Sequence, residues 1–507
     1  MVILVICVPF YSMQAALTAK SIFHHWQTPV LLIIFFVVRL LSFLLAGHTV
    51  LQAIIVFCVL MTLGILYFKN PNWAFYIVLG ELFLGGSGEL FQFIDLSLRS
   101  LLIVTFLGLW ALDIIVKREL KPRAHLNKTL STLLIAFYAL VFFAFANGLL
   151  HGHAIKNAVQ DLVPFFYLPL LFPAYHLLAK KEAHEYFVRL LIVFLIGSAI
   201  FSVVTFVLFS GGIIALQEPF YKWFRDVALG KITDLGNGFF RVVLPEHLLI
   251  TPIILIISSL LMRDERHHHM WRFLLFLALT ILMLNFSRIY LIALVVGLIV
   301  LKYKHKWHRW FIISGTTLGL AMLIFTSFAM LASGGKTFGW ELLGIRVTSL
   351  TAPAVEVSSA TRMMILPSIL EIIKSNPIFG IGLGATVTFF NTMTFETITT
   401  RHFDWGYLEM LAELGAFGTL TFLALIVFTM STVIKKIKSA VDWQDFYVGL
   451  LAGIAALLVI NITAPTLFHV FGIFFFVFTI AIAMKPMDIF ENMITLLYRI
   501  FNRLKTK

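Results

Sequence analysis

Charge is what this sequence has least of. Asp, Glu, Lys and Arg together make up 12% of the 507 residues, where soluble domains carry about 25%. So few polar side chains could not cover a water-facing surface, so a soluble enzyme is excluded, and disorder fails on the same figure. Cysteine is nearly absent as well. Cys7 and Cys58 both lie within apolar stretches, which excludes a disulfide scaffold and identifies no compartment. Acidic residues number 25 against 38 basic ones, a formal net charge of +13. In a polar chain that balance would suggest nucleic acid; here the placement of the charge decides. What is abundant is apolar: 60% hydrophobic residues, 52 Phe and 10 Trp, with a mean hydropathy of +0.98. The apolar runs are continuous, as from Leu130 to Leu150 without one charge, whereas barrel strands alternate in short segments. The expected fold is an all-α polytopic membrane protein, a single integral membrane domain of about 13–15 transmembrane helices.

Lys and Arg gather in six clusters, at 117–128, 180–189, 263–272, 302–309, 435–438 and 485–507, which hold 23 of the 38. Room for an even number of spans separates successive clusters, so all six are expected on the cytoplasmic side, with the C-terminus. The opposite connections are then 151–157, 211–245, the turn at Ser287-Arg288, 333–404 and 463–466. Two of these are long, and long loops on a helical scaffold are where binding and chemistry concentrate. Spans begin near Val2, Pro29, Val50, Asn72 and Arg99 in the first third. The apolar stretch 1–17 reads as a span, an interfacial helix or a signal-like segment, and without a convincing cleavage site it is kept in the mature chain. Residues 273–301 make either two short spans, with Arg288 at the outer turn, or one long span with Arg288 in mid-membrane. Basic clusters at both ends favour the hairpin. Residues 219–232, with Phe220, Tyr221, Trp223 and Phe224 beside Lys222, Arg225 and Asp226, suit an interfacial helix on the outer leaflet, either a lid over a lipid-linked substrate or an anchor. Residues 486–507 suit an amphipathic tail on the anionic cytoplasmic surface.

On the deduced outer side stand Arg241, Arg288, Arg362, Arg401, His402 and Asp404. Any one arginine could snorkel or pair with a carboxylate, but four with a histidine are unusual on a face otherwise short of basic residues. The planar guanidinium grips phosphate through two parallel charge-assisted bonds, so the simplest ligand is an anionic headgroup or a lipid-linked diphosphate. His402 could act as a base near neutral pH or donate a hydrogen bond. Glu409 and Glu413, four apart, share one helix face and either orient His402 or Arg401 or neutralise arginines. Gly380, Gly382 and Gly384 form a GxGxG preceded by Asn376-Pro377 rather than by a strand, which rejects a nucleotide site. His267–His269 lacks metal-ligand spacing and reads as solvated. No Asp-rich motif argues for a divalent cation. Arg39, Glu81, Asp113 and Asp161 are expected to pair within the bundle, with Asp161 also placed to line a cavity.

These residues resemble the O-antigen ligase/polymerase family of bacterial membrane glycosyltransferases. Asn285-Phe-Ser-Arg288 is similar to the family's Ser-Arg signature at the start of a span. The run from Thr361-Arg362 through Asn376-Pro377 to Gly380-Ile-Gly-Leu-Gly384 resembles the arginine, helix, Asn-Pro and glycine sequence of its large periplasmic loop. His402-Phe-Asp-Trp-Gly-Tyr-Leu-Glu409, continuing to Glu413-Leu-Gly415, resembles its closing His and Glu-Leu-Gly. Phe240-Arg-Val-Val-Leu-Pro245 is a looser match to an upstream loop arginine. The resemblance is strong over 280–425, weak over 236–260, and rests on hydropathy before that. Phe403-Asp404 departs from the Asn or Ser often found after the histidine in ligases, which favours a polymerase.

The resemblance implies a GT-C-like enzyme of the bacterial inner membrane, with its large loop periplasmic and catalytic. It would transfer glycan from undecaprenyl diphosphate to a sugar acceptor, polymerising O-antigen or exopolysaccharide repeat units. Ligation to the lipid A core or a protein is the alternative within the class, and transport of an anionic substrate the alternative outside it. Arg241, Arg288, Arg362 and Arg401 would hold the diphosphate, His402 would act on the acceptor hydroxyl, and Asp404 or Glu409 would fix its tautomer. The transfer would be inverting and metal-independent, with no cofactor. The implied partners are the lipid-linked glycan, the acceptor, membrane lipids and a flippase or chain-length regulator, with no nucleic acid.

Overall fold

The computed structural model describes residues 22–94, 96–116, 127–178, 181–263, 268–351, 357–439 and 443–484. The expectations for segment 1–17, for the tail 486–507 and for His267 fall outside them. Among the described residues seven helices are long and apolar enough to cross a membrane: Gln27–Leu44, Thr49–Lys69, Leu98–Val116, Lys128–Leu150, Tyr186–Ser210, Trp307–Ala332 and Gly406–Ser439. Five more apolar helices are shorter: Pro245–Leu261, His269–Asn285, Arg288–Leu301, Gln444–Ile460 and Val470–Ala483. The span expected near Asn72 is a 14-residue helix, Pro71–Leu84. The chain is an all-α, multi-pass membrane protein.

Length and burial divide the helices in two. The long ones keep one apolar side exposed, such as Phe57, Ile65 and Phe68 on Thr49–Lys69, the face that hydrocarbon covers. Gln444–Ile460 and Val470–Ala483 are apolar and buried almost all round, which places them at the centre. Buried charges here are paired, since an isolated one would carry its full desolvation cost. Arg39 meets Glu246 at 3.0 Å and Arg99 meets Glu81 at 2.7 Å.

Residues 273–301 are broken as the hairpin reading requires. One helix ends at Asn285 and the next begins at Arg288, with Phe286 between them at φ +45°. At its far end the second helix leads to His305, whose Nε2 meets Asp445 at 2.9 Å, at the start of Gln444–Ile460. At the other end of Gln444–Ile460, Asn461 packs against Gly406. The connections are joined to one another at that end. Arg288 Nη2 donates to Ser359 Oγ at 2.7 Å, Leu383 N–H donates to the Ala144 carbonyl at 3.0 Å, and Ser87 Oγ donates to the Val227 carbonyl at 3.4 Å.

The helix Pro219–Asp226 differs from the leaflet reading. Its Trp223 and Phe224 are buried, Trp223 against the Phe43 ring at 5.8 Å and Phe224 stacked on Phe201 at 6.2 Å. Trp223 Nε1 also donates to Ser42 Oγ at 3.1 Å. The stripe that reads as lipid-facing is therefore used to seal the bundle, and Lys222, Arg225 and Asp226 take the exposed side.

Candidate functional site

A cavity of about 520 Å³ opens at the end where the connections gather. Arg401, His402, Glu409 and Glu413 line one wall, and Lys156, Gln160 and Asp161 of the short Ile155–Leu162 helix line another. That helix buries Ala158 and Leu162 and turns its polar side to the cavity.

Asp161 is the junction. Its Oδ1 accepts from Arg401 Nη2 at 2.8 Å and its Oδ2 from the Gly384 N–H at 3.0 Å. Arg401 Nη1 donates to Gln160 Oε1. Glu409 and Glu413 lie beside Asp161, so three carboxyl groups share this corner of the cavity. Burial pushes the Asp161 carboxyl above the usual aspartate range, and Arg401 beside it pulls the other way. The Glu413 carboxyl faces the Ala385 N–H, and that of Glu409 faces the Phe403 N–H. The second oxygen of Glu409, Oε2, is buried with no hydrogen-bond partner among the described residues.

The glycine run explains how these groups are held. The Gly406–Ser439 helix is interrupted at Gly415, at φ +64° and ψ −172°. Across the break the helix exchanges backbone bonds with the preceding loop. Ile381 and Gly382 N–H donate to the carbonyls of Ala412 and Glu413 at 2.8 and 3.1 Å, and Ala416 and Phe417 N–H donate to those of Pro377 and Ile378 at 2.9 and 3.2 Å. The groups freed by the kink are thus satisfied within protein, as a membrane requires. Gly382, at φ +96°, admits no side chain, because a Cβ there would lie 2.1 Å from the Gly148 nitrogen. The Asn-Pro, GxGxG and Glu-Leu-Gly elements are therefore one splice, and it sets Asp161 against Glu413.

The other predicted residues lie elsewhere. Arg288 begins its helix beside the Phe286 turn and bonds Ser359. Arg241, on the Lys231–Asp234/Phe240–Val243 hairpin, is electrostatically coupled to Tyr290 two residues further on. Arg346, which sequence reasoning missed, is buried with its guanidinium 5.7 Å from the centre of the Phe286 ring. Arg362 joins the two groups through the backbone, its carbonyl accepting from Trp405 Nε1 at 3.1 Å, while its own Nε is buried without a partner among the described residues. The seven predicted residues thus divide between a cavity holding Arg401, His402 and Glu409 and an arginine group at the Phe286 turn holding Arg241 and Arg288, with Arg362 and the Asp404 turn outside the cavity wall. The expected tautomer lock is not made. His402 is exposed, its N–H donates to Thr400 Oγ1 at 3.0 Å, and its ring bonds neither Asp404 nor Glu409. Asp404 instead occupies a left-handed turn at φ +56°. Gln160, which the sequence did not single out, completes the set; its only signal was polarity next to apolar runs. Glu413, read from its spacing to Glu409, joins the cavity wall beside it.

A search of curated proteins finds no match to the chain. A protein-family model described as O-antigen ligase matches residues 273–423. The matched stretch contains the Phe286 turn, the Arg362 helix, the glycine splice and the His402–Gly415 segment. Over that stretch this multi-pass membrane protein is similar to the O-antigen ligase/polymerase family.

Proposed function

We propose that the protein is a glycosyltransferase that moves a glycan from undecaprenyl diphosphate to a sugar hydroxyl, most specifically to the end of another repeat unit. The family supports a ligase- or polymerase-type role in glycan assembly, with a lipid-linked substrate and an acceptor. One observation carries the finer reading: exposed His402 stands at a polar cavity, and its chain continues through Trp405 to the arginine group. Arg288, assisted by Arg241 and Arg362, binds the diphosphate, whose departure needs charge stabilisation more than protonation. Arg401, engaged by Asp161 and Gln160, orients the His402 segment more than it grips the donor. The acceptor oxygen attacks the anomeric carbon as the bond to the diphosphate oxygen breaks. The hydroxyl proton passes to the His402 imidazole and then to water, the carrier leaves as the diphosphate anion, and configuration inverts. The basic clusters favour a cytoplasmic position for the opposite end, which makes the site periplasmic in a bacterial inner membrane.

The test is to incubate reconstituted protein with one lipid-diphosphate-linked repeat and resolve the glycans on a gel. A ladder lost in His402→Ala and Arg288→Ala supports polymerisation, and a single addition to lipid A core supports ligation. Full activity in both variants refutes the assignment of roles.

A further inference from the structure

The chain leaves the Trp307–Ala332 helix and turns straight back along it. That helix has 26 residues, so it is about 39 Å long, close to the full thickness of a bilayer with its headgroups. Its two ends therefore lie in the two headgroup layers, and Trp307, exposed at the far end, stands where an aromatic belt belongs. At the near end the Gly335 N–H donates to the Met330 carbonyl at 2.8 Å, with Gly334 and Gly335 at φ +61° and +81°, which closes the reversal. Gly339 then lies against the helix below its end. A Cβ there would stand 2.7 Å from the Ala329 Cβ and 3.0 Å from Phe325 Cε1. Ala329 is one turn short of Ala332, about 4.5 Å lower along the axis. The chain has thus re-entered the headgroup layer as the helix Trp340–Thr351 begins.

What it uncovers at that depth is apolar. Phe338 is 57% exposed, Trp340 59% and Ile345 48%, and Lys336 is exposed beside them. The opposite side of the helix is held by protein. Leu342 is buried, and so is Arg346, its guanidinium 5.7 Å from the centre of the Phe286 ring. Glu341, on the exposed arc, accepts from Asn237 Nδ2 at 3.4 Å and is tied to the neighbouring hairpin turn. Uncovered aromatic rings in water forfeit their transfer energy, whereas rings and a lysine at headgroup level are at home. The apolar surface also continues the lipid side of the Trp307–Ala332 helix, where Leu323 and Leu331 are uncovered.

We propose that segment 336–348 is an interfacial anchor seated in the leaflet at this end of the bundle. Phe338, Trp340 and Ile345 lie among phospholipid glycerol and acyl groups, and Lys336 reaches a lipid phosphate. The leaflet contact expected of 219–232 is made here instead, because these aromatics are left uncovered while Trp223 and Phe224 are buried in protein. One short helix then has lipid on one side and, through Arg346, the Phe286 turn on the other. This seating is independent of the chemistry carried out at that turn.

The experiment uses the full chain in lipid nanodiscs and its intrinsic tryptophan emission. Subtracting the emission of Trp340→Phe from that of wild type isolates Trp340. Two quenchers are compared: phospholipid brominated on the acyl carbons nearest the glycerol, and iodide in the buffer. The isolated signal is expected to be quenched several-fold more by lipid bromine than by iodide. Quenching mainly by iodide puts the ring in water and overturns the anchor. Quenching by neither puts it against protein, a second copy or another partner, and overturns it equally. Ile345→Trp, added to wild type and read by the same subtraction, reports from the next turn without removing a native ring. It must show the same preference for bromine, and iodide quenching there overturns the seating of the helix. Lys222→Trp, on the exposed side of Pro219–Asp226, is the water control and is expected to respond to iodide.

Discussion

The arginine group at the Phe286 turn and the carboxylate wall of the cavity lie at the same end of the bundle but are built by opposite means. The first is drawn from a shorter stretch of sequence. Arg288 stands at a helix start two residues after a left-handed Phe286, and its Ser359 partner is 71 residues away. The second is assembled from distant segments: Arg401 and Asp161 are 240 residues apart, Gly384 and Asp161 are 223, and Asn147 and Gly380 are 233. Anion binding needs only donors that converge on a point, which a short turn supplies. A shaped cavity needs walls, and walls come from elements that meet only after folding. The difference separates a part of the site that a motif can encode from a part that only packing can create.

The comparison can be broken or sharpened by substitution, beginning with the largest effect. Arg288→Ala is expected to lower glycan transfer roughly 100- to 1,000-fold while leaving the fold intact, as loss of a charge-stabilising donor does elsewhere; turnover on the lipid-linked repeat checks it, with an unchanged unfolding temperature as the control. Gly382→Ala should act on the cavity and not on the arginine turn. Its Cβ would meet the Gly148 nitrogen at 2.1 Å from a backbone at φ +96°, so a destabilisation of about 3 kcal/mol is expected. Thermal unfolding in detergent would show it, and an unchanged midpoint would mean that the splice is loose. Asp161→Asn should reduce activity about tenfold and alter its pH profile. The Asp161 carboxyl is raised by burial, with Arg401, Glu409 and Glu413 facing it. It therefore takes up a proton at a higher pH than an exposed aspartate and loses its ion pair on the acid side. Wild-type activity should fall as pH drops through that raised value, and the asparagine variant should lack that limb. The smallest effect belongs to Arg225→Ala. Its pairing with Asp226 at 2.7 Å is exposed, on the outer side of a helix whose aromatics face protein, and exposed pairs contribute little. Activity and unfolding temperature unchanged from wild type are expected; a marked loss would restore the lid reading.

Much of this was legible from residues alone. Apolar runs and scarce charge determine a helical membrane bundle, because an uncovered backbone group or charge in hydrocarbon is too costly for another solution. The break at Phe286-Ser287 followed from the 29-residue length of 273–301 and the basic clusters at both ends. Pairing of Arg39 and Glu81 within the bundle was likewise foreseeable, though not their partners Glu246 and Arg99. The aromatic stripe of Pro219–Asp226 misled, because a moment along eight residues reports an apolar side without saying whether lipid or Phe43 and Phe201 will cover it. The GxGxG carries no strand before it that would mark a nucleotide loop, but its task in the fold was invisible. That task is to exchange backbone bonds with a kinked helix and to approach Gly148, and neither partner is near it in sequence.

The sequence by itself determined the solvent, the secondary structure and the residue chemistry: a lipid-embedded helical chain with arginines and a histidine concentrated in the connections of one end. Each of these depends on composition or on neighbours within a few turns. Only the tertiary structure decided that Arg401 belongs with Asp161 while Arg288 belongs with Ser359, and that Glu409 joins a cavity wall beside His402. Those outcomes depend on which helices pack together. In a membrane nearly every helix is apolar enough to pack with any other, so selection passes to close approach and polar satisfaction at a few positions, such as Gly148 against Gly382, that hydropathy does not register.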